Sequence, residues 1–310
     1  MTDLTNDKAQ AVKIEPGRKR GPNDGSRRFL PVNMTFDTRS HCLTVPLEED
    51  CAPLIRAQWE ENQAKIRESL IHDFGANNYR HKVQNFIDLG NAPWSIIALH
   101  SIYLEQIRDA FVAQCYYPAL LGACGLGERI LNQLVLTLRD EDKYKNCPAT
   151  KYVKSKESIN KWDKCIDALR EWGIFDDETV RGYRALMKMR NTAIHYQSEL
   201  DSGEARETAL TAIQQISSLI ERIFQPIGES PYYFRGPKGR YYVRLESESN
   251  PFVKHFILPS CVLVSPVYRF IRNTSGFDVH DDPEYGINRP PLTDEQFADP
   301  SRAMESRNSP

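Results

Sequence analysis

The spacing of apolar side chains predicts a series of amphipathic helices through the middle of the chain. Apolar side chains recur every three or four residues over residues 116–138, 158–172 and 209–224. A further helix is predicted to begin at Asp176, the first of three acidic residues that suit the positive end of a helix dipole. From Trp94 to about Phe224, the pattern predicts about four or five antiparallel helices.

Shorter apolar runs on either side of this region are typical of strands. Residues 28–37 and 41–46 alternate apolar with polar side chains, which predicts two short strands or an extended arm, and a helix is predicted over residues 52–74 with its end at Gly75. Beyond Pro226 a Gly-Pro-Lys-Gly turn separates two strand-like runs, and the amino-terminal strands could complete the same sheet. The predicted fold class is mainly α: an antiparallel helical bundle with a small β appendage and disordered tails. The predicted boundaries are a tail over 1–27, strands and a helix over 28–92, a helical domain over 93–226, a β module over 231–273 and a tail over 274–310.

Composition is that of a globular protein that works in the cytoplasm. The 310 residues are 40% hydrophobic and 26% charged, with a net charge of -2. No apolar run approaches the roughly 18 residues that span a bilayer, and the amino terminus lacks the apolar centre of a signal peptide. We therefore expect no membrane partner. Charge is uneven, because residues 231–273 carry seven basic and two acidic groups.

Neither the cysteines nor the histidines show metal-binding spacing. The seven cysteines are scattered without a C-x-x-C pair, and the seven histidines do not form an H-E-x-x-H motif. The sequence predicts free thiols, no metal and no cofactor.

A basic residue interrupts an apolar stripe in the helix that begins near Asp176. Arg190 continues the stripe of Val180, Tyr183 and Met187. A guanidinium there needs a paired anion or a bound phosphate, because it cannot lose its charge. Asn191 and His195 share one face of this helix, and Arg190 and His195, about 140° apart, lie on either side of the boundary between faces. The Arg190 guanidinium and the His195 imidazole can therefore border one groove. That pairing suits cleavage of RNA by its own 2'-hydroxyl, without a metal.

The segment Leu-Met-Lys-Met-Arg-Asn-Thr-Ala-Ile-His-Tyr over residues 186–196 resembles the signature of the HEPN superfamily, in which an arginine and an adjacent polar residue precede a histidine. The resemblance covers about residues 94–226. It implies a metal-independent endoribonuclease that leaves a 2',3'-cyclic phosphate, used as a toxin or in anti-phage defence. His195 would then be the general acid and base, Arg190 would stabilise the phosphate, and Asn191 would orient it.

Glu128 is a second charged residue on an apolar stripe, between Cys124 and Leu131. It could pair with Arg190 or hold the His195 imidazole, as an acid of the preceding helix is expected to do in the family, or form a purely structural ion pair. Because one chain offers no acid for the leaving oxygen, we also expect a homodimer, as is typical of HEPN nucleases. An antitoxin or defence-system partner is a further expectation.

Basic residues beside aromatic ones suggest contacts with RNA. The candidates are Lys151, Lys154 and Lys156 in the lysine-rich stretch 143–164, and Arg235 and Arg240 in the β module. A solvated loop, in which the lysines only maintain solubility, explains the lysines equally well. Two other functions remain open: a non-catalytic module that binds RNA or a nucleotide, and a scaffold that dimerises or recruits a protein. The glycines of residues 122–127 favour close helix packing over a phosphate loop, because no strand precedes them.

Overall fold

The computed structural model describes residues 25–32, 35–154, 159–194, 204–225, 230–273, 276–282, 284–286 and 290–299. This part of the chain is mainly helical, with small two-stranded sheets, as the sequence predicts. It divides into two compact units: unit 1 lies within residues 1–34, 95–98 and 224–310, and unit 2 within residues 35–94 and 99–223.

The helices and strands in chain order are β1 (Arg28–Pro31), β2 (Thr35–Asp37), α1 (Arg39–Thr44), α2 (Pro53–Phe74), α3 (Tyr79–Asp88), β3 (Ala92–Ser95), α4 (Ala98–Val112), α5 (Tyr116–Leu138), α6 (Trp162–Glu171), α7 (Asp177–Ile194), α8 (Ala205–Phe224), β4 (Tyr233–Arg235), β5 (Tyr241–Val243), β6 (Cys261–Val264), β7 (Arg269–Asn273), β8 (Gly276–His280) and α9 (Asp294–Ala298). The long helices α2 and α5 to α8 confirm the helices predicted from apolar spacing. Gly75 ends α2 with φ 77°, a left-handed conformation that favours glycine.

The first part of unit 2 differs from its prediction. Residues 41–46 alternate in polarity like a strand, but residues 39–44 form α1. Asp37 Oδ1 accepts a hydrogen bond from the Arg39 amide at 2.9 Å. Asn91 Oδ1 accepts bonds from Ser40 Oγ at 2.7 Å and from the His41 amide at 3.2 Å. Contacts with a residue 50 positions away therefore override the local pattern. Helix α3 and strand β3 were not predicted either.

The core of unit 2 forms around α5, which packs against α6 and α7. Eleven residues of α5 are buried, including Leu120, Ile130 and Leu134. Helix α7 begins where the acidic residues predict, because Asp176 Oδ1 accepts a hydrogen bond from the Thr179 amide at 2.7 Å. Helix α8 buries Ala212, Ile216 and Ile220 in turn. The helices thus bring the end of α7 beside the middle of α5.

Unit 1 is built from three antiparallel strand pairs. Strand β1 pairs with β6, β4 with β5, and β7 with β8. The pairing of β1 with β6 confirms that an amino-terminal strand joins the β module. The short apolar run at 256–258, whose composition suggests a strand, is helical instead, since residues 253–257 form a wide helical turn that buries Phe256.

The carboxyl-terminal segment corrects another prediction. Residues 274–310 were expected to be disordered, but the described part of this segment contains β8 and α9. Phe297 of α9 is fully buried in a cluster with Phe234, Tyr242 and Tyr268. Arg28, also fully buried, donates a hydrogen bond to Asp294 Oδ1 at 2.7 Å. One aromatic side chain and one buried ion pair therefore fix this segment in unit 1. Of the predicted tail over residues 1–27, residues 1–24 lie outside the described residues.

Candidate functional site

The final turns of α7 carry two of the predicted site residues, Arg190 and Asn191. Tyr117 Oη on α5 donates a hydrogen bond to the Ala193 carbonyl at 3.3 Å, which attaches this end of α7 to α5. Arg190 is half-buried and Asn191 is exposed. His195, a third predicted site residue, follows Ile194 in the sequence and lies outside the described residues. The helix therefore presents the arginine and the asparagine at the place where it leads into His195.

Glu128 on α5 faces Arg190 on α7. The distance from Arg190 Nη2 to Glu128 Oε2 is 3.5 Å, and the side chains remain 28% and 26% exposed respectively. Arg190 Nη1 also donates a hydrogen bond to Asn191 Oδ1 at 3.4 Å. Among the described residues, the buried Nε of Arg190 has no hydrogen-bond partner. The guanidinium is therefore held by one carboxylate and retains both solvent access and hydrogen-bonding capacity.

A glycine allows this close approach of the two helices. A Cβ atom at Gly127 would lie 2.5 Å from Leu186 Cδ2 and 3.4 Å from Trp162 Cη2, so a larger residue would require the Leu186 side chain to shift. Gly127 thus supports the predicted packing role of the glycine-rich stretch. Gly125, in contrast, faces open space.

Two buried thiols flank the ion pair. Burial raises the pKa of Cys124 to about 12, although the charge of Arg190 acts in the opposite direction. Burial also raises the pKa of Cys165 to about 12, and the charge of Glu128 adds to that effect. Both thiols are therefore protonated and unreactive near neutral pH, and neither can act as a nucleophile in the site.

Two cavities in unit 2 meet at this ion pair. The first has a volume of about 240 Å³ and is lined by Asn160, Lys161, Trp162, Asp163, Lys164, Met187, Arg190 and Asn191. The second has a volume of about 580 Å³ and follows one face of α5, lined by Gly125, Glu128, Arg129, Asn132 and Gln133. Arg190 lines the first and Glu128 the second. A polyanion entering the first cavity would meet Arg190, Lys161 and Lys164 together.

The loop before α6 is positioned by Asn132. Asn132 Oδ1 accepts a hydrogen bond from the Ile159 amide at 2.6 Å, and its Nδ2 donates to the Glu128 carbonyl at 3.1 Å. This pair of bonds sets the course of the chain that leads to Lys161. Asn132 was not predicted as a site residue, and Lys161 and Lys164 were predicted only as members of the lysine-rich stretch 143–164. The polar positions 128, 129, 132 and 133, spaced along one helix face, were the available signal for the α5 cavity.

The predicted RNA contacts separate into two groups. Lys151 is exposed in unit 2, with its Nζ 4.7 Å from the centre of the Tyr152 ring, and Lys164 Nζ lies 5.0 Å from the same ring. Lys154 is exposed nearby in the chain, while Lys156 lies outside the described residues. Arg235 and Arg240 are exposed in unit 1. Lys164 therefore connects the Tyr152 ring with the Arg190 cavity, and the arginines of the β module form a separate group.

The donor set around Arg190 is cationic and amide-rich. Within the described ranges, no group of three histidine, cysteine or acidic side chains could hold a metal ion. The same part of the chain has no helix with the length and apolar character to cross a bilayer.

Comparisons with protein-family models, with curated proteins and with solved structures gave no match.

Proposed function

We propose that this chain is a metal-independent endoribonuclease of the HEPN type. The observation that carries the proposal is the position of Arg190: its guanidinium is fixed by Glu128, is reachable from solvent, borders a lysine-lined cavity, and lies on the helix that leads directly into His195. Transesterification of a phosphodiester requires a cation that stabilises the phosphate and a base that takes the proton of the 2'-hydroxyl.

In the proposed reaction, His195 accepts the proton of a ribose 2'-hydroxyl as its oxygen attacks the adjacent phosphorus. Arg190 stabilises the additional negative charge on the phosphoryl oxygens, and Asn191 orients the phosphate. The bond from phosphorus to the 5'-oxygen breaks, which leaves a 2',3'-cyclic phosphate on one product. The departing 5'-oxygen takes up a proton to become a hydroxyl group. Glu128 acts as a positioning residue through its contact with Arg190.

The proposal includes a homodimer, because a single imidazole that has just accepted a proton is poorly placed to protonate the departing oxygen on the opposite side of the phosphorus. A second copy of the chain, related by a two-fold axis, would supply that proton from its own histidine. Use as a toxin or defence effector, with an antitoxin or defence-system partner, belongs to the same proposal. It rests on the resemblance of residues 186–196 to the HEPN signature.

RNA would approach the site along the basic side of unit 2. Lys161 and Lys164 line the Arg190 cavity, and Lys151 lies beside the 58% exposed Tyr152 ring. Ammonium groups bind backbone phosphates, and an exposed tyrosine ring can stack on a base. This arrangement supports a single-stranded substrate, whose bases are free to stack.

The proposal is tested by incubating the purified full-length protein with labelled single-stranded RNA in EDTA. We expect cleavage by the native protein, and losses of at least about a hundredfold for His195→Ala and for Arg190→Ala, with unchanged helical circular dichroism. Metal-dependent cleavage that survives both substitutions would refute the proposal. In cells, expression is expected to arrest growth, and His195→Ala to restore it.

A second candidate is a module of the same fold that binds RNA without cutting it. It is favoured by the Glu128–Arg190 pair itself, because a guanidinium already neutralised by a carboxylate fulfils a structural role without a substrate. Tight, salt-sensitive binding without cleavage would support this candidate. A scaffold that only dimerises or recruits a protein would show neither binding nor cleavage.

A further inference from the structure

Four basic side chains gather at the turn between β4 and β5 and on the neighbouring strand β7 of unit 1. We call Arg235, Lys238, Arg240 and Arg269 the hairpin cation cluster. All four are exposed. The Arg235 guanidinium lies against the turn, since a Cβ at Gly239 would be 3.5 Å from its Nη2. The turn therefore concentrates positive charge on one small surface.

Aromatic rings, rather than acids, contact two of these cations, Lys238 and Arg240. Lys238 Nζ lies 4.0 Å from the centre of the Tyr268 ring and donates a hydrogen bond to the Tyr268 carbonyl. The guanidinium carbon of Arg240 lies 4.2 Å from the centre of the Phe270 ring. Tyr268 itself is fully buried and shares a hydrogen bond of 2.9 Å with Tyr242 through their hydroxyl groups. The charged groups are thus attached to the aromatic core of the unit, which limits their freedom before any ligand binds.

The described carboxylates of unit 1 leave the cluster without an ion-pair partner. Asp281 accepts hydrogen bonds from Ser265 and Arg27, and Asp294 accepts one from Arg28. Asp278 lies opposite Ile271 on β7, two pairs along from Arg269 and His280, and forms no ion pair in the described structure. The pKa of Lys238 is lowered, first by burial and then by the charges of Arg240 and Arg269. Mutual repulsion of this kind is relieved when an anion binds between the cations.

We propose that the hairpin cation cluster binds the phosphate backbone of RNA, as a second RNA-binding site apart from the Arg190 cavity. The choice of RNA rests on the proposed function. It is also favoured by Tyr241, which pairs with Arg235 across the hairpin and is half-buried on the same face, where its ring can stack on a base. Lys238 and Arg269 would provide two phosphate contacts in addition to those of Arg235 and Arg240, which the sequence suggested.

The test measures RNA binding by full-length protein carrying His195→Ala, so that the probe stays intact. The probe is a fluorescently labelled single-stranded RNA of mixed sequence, titrated at several KCl concentrations. We expect Lys238→Gln combined with Arg240→Gln to weaken binding about tenfold, and to reduce the slope of log K against log salt by about 1.4, the loss of two phosphate contacts. The matched control combines Lys254→Gln with Arg272→Gln, two exposed cations of unit 1 outside the cluster, and should change affinity less than about twofold.

Equal losses in the two double variants would overturn the proposal, because net charge alone would then explain the effect. Binding to vesicles of anionic lipid, with RNA affinity unaffected by the cluster substitutions, would overturn it in favour of a membrane. If the first double variant fails to fold, Arg235→Gln with Arg269→Gln provides the same test. The test also distinguishes this proposal from the proposed nuclease activity. If the native protein binds RNA through the cluster but does not cut it, the nuclease proposal is rejected and the RNA-binding site is still supported.

Discussion

Arg190 combines an ion pair with access to solvent. It is paired with Glu128 across two helices, yet 28% of its side chain stays in solvent and its buried Nε has no hydrogen-bond partner in the described structure. The sequence could predict this pair, because each residue interrupts an apolar stripe and each therefore needed a partner. It could not single out Lys161 or Lys164, whose approach to Arg190 depends on the hydrogen bonds of Asn132 with the loop before α6.

The substitution Glu128→Gln distinguishes the effect of Glu128 on the position of the Arg190 guanidinium from its effect on the stability of the fold. A partly exposed ion pair contributes at most about 1 kcal/mol, so the free energy of unfolding should fall by no more than that. Without the carboxylate, however, the guanidinium loses its fixed position, and we expect kcat for RNA cleavage to fall at least about tenfold with little change in KM. Steady-state kinetics and urea unfolding measure the two effects.

The control for this substitution is Asp167→Asn. Asp167 accepts a hydrogen bond from Arg184 at 3.3 Å, so this variant also removes an ion pair between α7 and a neighbouring helix, but away from the cavity. Its kcat should stay within about twofold of the native value. An equal loss of kcat in both variants would show that Glu128 acts only through the stability of α7.

His100 on α4 introduces a pH dependence of stability. The side chain is fully buried, with Nε2 2.8 Å from Gln133 Oε1, and burial lowers the pKa of His100 to about 4 from its ordinary value of 6.5. The unfolded chain therefore binds a proton at a higher pH than the folded one. The contribution of His100 to the free energy of unfolding is fully present above pH 6.5. As the pH drops towards 4, this contribution falls by about 3 kcal/mol. Urea unfolding of the native protein and of His100→Gln between pH 7 and 4 measures this loss, and an identical pH dependence in both would contradict the assignment.

At the scale of elements, the sequence predicts long helices better than short ones. Helices α2 and α5 were predicted because their lengths of 22 and 23 residues allow the apolar repeat or a clear stop signal to be recognised. Helix α1, of six residues, forms because Asn91 binds its first turn, and no local pattern shows this. Helix α9 did carry a signal: Thr293 and Gln296 form a capping box, with mutual bonds of 3.2 and 2.9 Å.

Helix α9 is expected to contribute strongly to the stability of unit 1. Phe297 is fully buried, so Phe297→Ala should lower the free energy of unfolding by about 3–5 kcal/mol through lost burial and a cavity. The 48% exposed Ile271 provides the comparison, and Ile271→Ala should cost less than about 1 kcal/mol. Thermal and urea unfolding would reveal the difference. Equal small effects would mean that the carboxyl-terminal segment does not stay in the core in solution.

At the scale of the whole molecule, the chain combines a helical unit that holds the Arg190 cavity with a β-containing unit that holds the hairpin cation cluster. The mainly helical class was predictable from residue patterns, whereas the pairing of β1 with β6 was one option that the sequence alone could not show. The assignment of residues 276–282 and 290–299 to unit 1 was not predictable, because their polar composition hides Phe297, the aromatic residue that brings α9 into the core. The proposed activity links the two units through one substrate, RNA.

The end groups of RNA cut in EDTA test the central claim most directly. Attack by a 2'-hydroxyl, with Arg190 stabilising the phosphate and His195 moving the proton, predicts a 2',3'-cyclic phosphate on one fragment and a 5'-hydroxyl on the other. Mass spectrometry of the fragments identifies both ends. Fragments ending in a 3'-hydroxyl and a 5'-phosphate, or RNA that remains intact, would contradict the account.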